Sequence, residues 1–184
     1  VHISSDYNHI DCRFPIQSVI RPHTLDNQDY RGFAGRIDGG VFKPGDRVKT
    51  LPSGFVSTIK TIELNGQQIK EAFTPMSVTM TLQDEIDTSR GDMIVRENNV
   101  PEIGQDLEVL VTWMSSNPLK PRTKVVIKHT TKQCLGMVKE LKYKIDINTL
   151  HRMQDIDTLD MNDIGRISLR TAKPLFYDVY KKNR

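Results

Sequence analysis

The chain has 184 residues, 37% of them hydrophobic and 27% charged, with a formal net charge of +3. That composition excludes a disordered or collagenous chain, and no apolar run approaches the roughly 18 residues that cross a bilayer as a helix. The charge is uneven: residues 1–102 carry 11 Lys/Arg against 14 Asp/Glu, and residues 103–184 carry 15 against 9. A basic second half suits an acidic partner, but its cations are dispersed and no aromatic-plus-basic platform accompanies them, which argues against nucleic acid. Cys12 and Cys134 lie far apart and outside any CxxC spacing, so each reads as a buried apolar residue in a reducing, cytoplasmic compartment. No basic-then-apolar signal segment opens the chain; its first six residues read as the interior of a longer protein.

In chain order the periodicity is that of strands. Phe14–Arg21 reads as the first, with Pro15 near its start, where a missing N–H is tolerated. Tyr30–Asp38 is the second, ended by Gly39-Gly40. Val41-Phe42 starts a third segment, Lys43-Pro44-Gly45-Asp46 is a tight turn, and Arg47–Leu51 continues as strand until Pro52-Ser53-Gly54 turns the chain again. Phe55–Leu64 alternates, placing Ile59 and Thr61 on one face with Phe55, and Val56 and Ile62 on the other. Asn65-Gly66 is a hairpin signal. Ser77–Leu82 is β-rich, and Arg90-Gly91-Asp92 reads as the turn into Met93–Val95 rather than as an adhesive tripeptide. Six or seven strands in about 85 residues, with turns every 8–12, predict a closed barrel.

Arg96–Gln105 is polar, holds Pro101 and Gly104, and reads as a linker. Strands are then expected at Asp106–Met114, Thr123–Thr130, Gly136–Ile147, Ile164–Thr171 and Leu175–Val179. Leu150–Leu159 has weak helical spacing crowded by Asp and Thr, and Thr131–Lys144 fits a long strand at least as well as a helix. The expectation is an all-β chain of two consecutive small barrels, 1–102 and 103–184.

Catalytic and ligand-binding motifs are missing. There is no GxxxxGK[ST] loop, GxGxxG, HExxH, Cys/His cluster or EF-hand. His2, His9, His23, His129 and His151 are scattered, and a metal site needs converging donors. His129 beside Thr130-Thr131 lacks the third group of a catalytic triad. The acidic runs Asp84-Glu85 with Asp87, and Asp155, Asp157, Asp160 and Asp163, read as solvated loops. No residue is assigned to catalysis, a cofactor or a metal.

The segment Arg31-Gly32-Phe33-Ala34-Gly35-Arg36-Ile37-Asp38-Gly39-Gly40-Val41-Phe42-Lys43-Pro44-Gly45-Asp46 resembles the second-domain signature of elongation-factor GTPases. Translation factors usually place two more residues between the Arg-Gly pair and the next Gly. With this shorter form, the string Phe14–Pro22 before it, and Trp113-Met114, Ile127–Thr131, Tyr143–Leu150, Met161–Arg166 and Lys173–Asp178 in order after it, the chain resembles the large, GTP-hydrolysing subunit of bacterial sulfate adenylyltransferase. The resemblance covers nearly the whole chain. It implies domains of the translation-factor second and third type, the third clipped at its C-terminus. Arg31, Gly32, Gly35, Gly40, Pro44, Gly45 and Asp46 would then determine the fold.

The resemblance also implies function. The large subunit couples GTP hydrolysis to synthesis of adenosine 5′-phosphosulfate from ATP and sulfate on a small catalytic subunit, in the cytoplasm. GTP and Mg²⁺ would belong to a nucleotide domain outside these residues, leaving this fragment without activity or cofactor of its own. The expected partners are the small subunit and that nucleotide domain, not a membrane, and the family includes fusions to a kinase. Two alternatives stay open: a tRNA- or ribosome-binding module of a translation factor, favoured by the basic second half, and a stand-alone β-barrel adaptor.

Overall fold

A computed structural model describes residues 7–22 and 30–180, and every regular element among them is a strand. The chain forms two compact units. The first comprises Val1–Glu102 with Thr130–Lys132 and Asp178–Arg184; the second comprises Ile103–His129 and Gln133–Tyr177. The first unit therefore takes in two short segments that a division at residue 102 assigns to the second. His2, His23 and the Lys181-Lys182 pair lie outside the described residues.

The first unit holds β1 (Arg13–Ile20), β2 (Gly32–Arg36), β3 (Val41–Phe42), β4 (Arg47–Leu51), β5 (Val56–Leu64), β6 (Gln67–Gln68), β7 (Ala72–Phe73), β8 (Ser77–Leu82) and β9 (Met93–Arg96). Nine strands stand where the spacing suggests six or seven, because turn segments add two-residue pieces. The main sheet runs β4-β9-β1-β2-β8-β5, and β4 pairs back onto β5. That return closes a six-stranded antiparallel ring and leaves those strands no free edge. Closure turns one face of every strand inward. Phe14, Ile16, Phe33, Ile37, Phe42, Val48, Ile59, Ile62, Met80 and Ile94 are buried there. Each such side chain stabilises by about 1.5–3 kcal/mol relative to exposure. Phe14 meets Phe42 edge-on, centroids 6.3 Å apart.

Turn chemistry follows the residues. Asn65 and Gly66 both have positive φ, 51° and 78°, and join Leu64 directly to its partner Gln67, a mirror-type two-residue hairpin. The alternation expected of β5 fails midway. Its pairing with β8 shifts between Ile59 and Thr61, a bulge that puts Ile59 and Ile62 together in the core instead of on opposite faces. Phe55, expected to share the face of Ile59, precedes the strand and is exposed.

The second unit holds β10 (Glu102–Thr112), β11 (Lys124–His129), β12 (Lys132–Ile145), β13 (Arg152–Met153) and β14 (Ile164–Tyr177), with sheet order β10-β14-β12-β11 and β13 on β12. The linker expected to run to Gln105 stops at Pro101, and β10 begins at Glu102. The two strands expected at 164–171 and 175–179 are one: β12 and β14 part at the Gly136–Thr171 pair, so Pro174, beyond it, removes no N–H from that ladder. The stretch with helical spacing carries the short β13 and tight turns, with Leu150 and Asp155 at positive φ. The core gathers Leu119, Val138, Leu141, Leu159, Ile167 and Leu169. Leu119 and Leu159 exchange two backbone hydrogen bonds, 2.8 and 3.0 Å, which pin their loops over the sheet. The inward residues of the flanking strands, Leu107, Val109, Val111, Val125 and Ile127, are only half-buried.

Candidate functional site

The expected signature residues all lie in the first unit, each with its own surroundings. In the Lys43–Asp46 turn the Asp46 N–H reaches the Lys43 carbonyl at 3.1 Å, and Gly45 takes φ 93° after Pro44, the arrangement of a type II turn. The Asp46 carboxylate accepts the Lys43 N–H at 2.9 Å and Arg96 Nη2 at 3.1 Å, so the turn is tied to the end of β9. Gly40, at φ 79°, lies where a Cβ would come within 2.5 Å of the Cys12 Cα. At Gly35 a Cβ would run into the Pro15 carbonyl oxygen across the β1–β2 pair. At Gly32 it would meet Thr79 Cγ2 at 2.8 Å. These three glycines permit close strand approach, whereas Gly45 has open space around it and serves its backbone angle alone.

Arg31 stands at the mouth of the β1–β2 pair. Its Nη2 donates to Asp87 Oδ1 at 2.7 Å, and Arg21 Nη2 reaches the same oxygen at 3.4 Å. The Asp87 side chain is almost wholly in water, so both pairs contribute at most about 1 kcal/mol.

A second constellation has no counterpart in the sequence expectations. The Arg13 guanidinium, 4% exposed, donates through Nε and Nη2 to both oxygens of Asp178, 8% exposed, each at 2.8 Å. Its Nη1 donates to the Cys12 carbonyl at 2.8 Å and to the Asn99 carbonyl and Oδ1 at 2.7 Å each. Asn99 Nδ2 and Asn8 Nδ2 in turn donate to the two oxygens of Asp11, at 2.9 and 2.8 Å. The site binds the start of β1, the segment after β9 and Asp178 into one desolvated network. Its geometry is that of a structural clasp: the donors are met within the protein. Arg13 and Asp178 are 165 positions apart, and nothing in their spacing pairs them; only the structure brings them together.

Arg90-Gly91-Asp92 is the turn into β9: Gly91 has φ 94°, and Asp92 Oδ2 accepts the Ser89 N–H at 2.8 Å. The His129–Thr131 stretch forms the β11–β12 hairpin, with Thr130 at φ 51°. Asp84 accepts the Ser57 hydroxyl at 2.7 Å. Asp163 binds Lys144 at 3.2 Å and the Asp160 N–H at 2.8 Å. Among the described residues, no three His, Cys, Asp or Glu side chains converge as metal ligands would. Burial pushes the Cys12 thiol above its ordinary range, and the thiol faces the Val41 carbonyl at 3.4 Å. Asp146 goes the other way: the N–H groups of Asn148 and Thr149 hold its carboxyl below the usual range.

Residues 106–184 match the GTP-eEF1A C-terminal domain-like family. The whole chain is 46% identical to the "Bifunctional enzyme CysN/CysC" of Mycobacterium tuberculosis, covering 30% of it. It is 42% identical over 184 residues to "Sulfate adenylyltransferase subunit 1" of Bacteroides fragilis, covering 38% of that protein. The chain thus spans roughly a third of the curated relatives it matches. The crystal structure of sup35 complexed with GDP resembles it with a TM-score of 0.81 over 94% of this chain and 42% of that one, at 14% identity, which shows the fold alone. The fold is all-β, of the translation-factor type. From residue 1 to residue 184 the chain is similar to a stretch of proteins named sulfate adenylyltransferase subunit 1 or CysN/CysC, and over residues 106–184 it matches the GTP-eEF1A C-terminal domain-like family.

Proposed function

We propose that these residues are the non-catalytic region of a sulfate adenylyltransferase large subunit. In this reading they link GTP hydrolysis, performed in a nucleotide domain elsewhere in the parent, to adenylyl transfer from ATP to sulfate on a small subunit. GTP and Mg²⁺ would bind that other domain, and the assembly would be a cytoplasmic heterodimer. The supporting observation is 40–46% identity along essentially the whole chain to relatives named for this enzyme. Coupling requires that the partner contact these residues differently in the two nucleotide states.

The test is binding of the small subunit to the full-length large subunit and to one lacking residues 1–184. Loss of binding on deletion supports the reading, and retained binding refutes it. The 184-residue chain alone should neither bind GTP nor form adenosine 5′-phosphosulfate. Salt-dependent RNA binding by the chain would instead favour the translation-factor alternative.

A further inference from the structure

On the outward face of the second unit, β11 presents Lys124, Val126 and Lys128, alternating with the inward Val125 and Ile127. The Val138 N–H reaches the Thr123 carbonyl at 3.0 Å and the Arg122 N–H reaches the Val138 carbonyl at 2.7 Å. Counting antiparallel partners from there sets Leu135 opposite Val126 and Met137 opposite Lys124. Val126, Leu135 and Met137 are 56%, 62% and 40% exposed. Three adjoining apolar side chains standing out from two paired strands make a continuous patch, the kind of surface that marks an interaction site.

The charge around the patch is selective. On the same unit four exposed cations have a carboxylate in ion-pair range: Lys139 and Arg170 share Asp106, Arg166 meets Glu108 and Lys142 meets Glu140. Lys124 and Lys128 bracket Val126 and have no carboxylate in ion-pair range among the described residues. Five of the nine carboxylates after residue 102 lie instead between Asp146 and Asp163. The patch therefore presents an aliphatic centre with an unneutralised basic rim.

We propose that Val126, Leu135 and Met137, rimmed by Lys124 and Lys128, are a docking surface for an acidic segment of the partner subunit, one that sets an aliphatic side chain between carboxylates. The proposal rests on the reading above that the chain works with a partner subunit, and it names the surface. A second copy of the chain fits poorly, since it would set these lysines against their own kind. Nucleic acid fits poorly too, because the centre is aliphatic and offers no ring for a base to stack on.

The test is calorimetric titration of the small subunit into the full-length large subunit at low and high salt. Leu135→Ser should weaken binding by about tenfold or more, the effect of removing a central anchor. The double change Lys124→Glu with Lys128→Glu should weaken it and flatten its salt dependence. Lys70→Glu, an exposed change in the first unit, should leave it unchanged. Melting curves check that each variant is folded, and the lysine pair tests the surface without touching any apolar packing. Wild-type affinity in both Leu135→Ser and the lysine pair overturns the proposal, as does a loss confined to nucleotide-dependent behaviour with subunit affinity intact. Binding that survives deletion of residues 1–184, or that is absent from the wild type, refutes the partner reading itself and the surface with it.

Discussion

The two units are both antiparallel and of similar strand content, yet they bury their apolar residues to different depths. In the first, closure of β4 onto β5 gives every strand of the ring two neighbours, and the inward side chains of all six strands are covered. In the second, the described strands pair in the order β10-β14-β12-β11, and no pairing of β10 with β11 occurs among the described residues. Its central strands β12 and β14 bury Val138, Leu141, Ile167 and Leu169, while β10 and β11 leave their inward residues half-covered. Alternation along a strand sets which side chains point inward; closure of the sheet sets how fully they are buried.

The comparison can be broken most directly at Arg13. Arg13→Met removes the guanidinium from its buried pair with Asp178 and should destabilise the first unit by about 3–5 kcal/mol. Native-state hydrogen exchange should then show faster exchange in β1 and β9, with β12 and β14 less affected. Equal losses in both units would mean that they unfold as one. Next come matched truncations. Ile62→Ala, in the closed core, should cost about 2–5 kcal/mol, and Val109→Ala, in a half-covered strand, about 1 kcal/mol, both read from urea unfolding.

Matched additions should follow the same order. Gly35→Ala pushes a methyl against the backbone oxygen of Pro15 and should cost about 1–3 kcal/mol. Gly136→Ala meets chiefly the Cδ1 end of the half-buried Ile127 side chain, which has more room to yield than a backbone oxygen, and should cost less than Gly35→Ala. The smallest contrast is in pH. The folded Cys12 thiol keeps its proton where the unfolded one has lost it, so its contribution to the first unit's stability falls as pH rises past about 8.5. Asp146, held ionised, contributes stability above its unfolded value near about 3.9, lost as pH falls through the lower folded value. Cys12→Ala should flatten the alkaline limb of the first unit's stability and Asp146→Asn the acid limb of the second's, followed by thermal melts across pH.

What the sequence carried locally was legible. β4 and β8 fall at the positions their alternation marks, and Lys43–Asp46 and Asn65-Gly66 form the turns their residues demand. What depends on a partner strand was not. The bulge in β5 belongs to its pairing with β8, so no reading of Val56–Leu64 alone reveals that Ile59 and Ile62 share a face. Pro174 looks like a strand break until the departure of β12 at Thr171 shows that it lies beyond the β12–β14 ladder. The signature glycines were legible as a motif, but Gly35 and Gly40 take their meaning from Pro15 and Cys12, twenty or more positions earlier. The Arg13 clasp lies furthest from view, since its members share neither a segment nor a spacing.

That clasp also imposes an order of events. During synthesis from the N-terminus, the six strands of the first ring leave the ribosome well before Asp178 does. Until then Arg13 has Asp11 at 3.8 Å and the Asn99 oxygens, but not its bidentate counter-ion. The nascent first unit therefore waits with only the longer Asp11 contact for its buried guanidinium, and the bidentate pair completes it when Asp178 emerges.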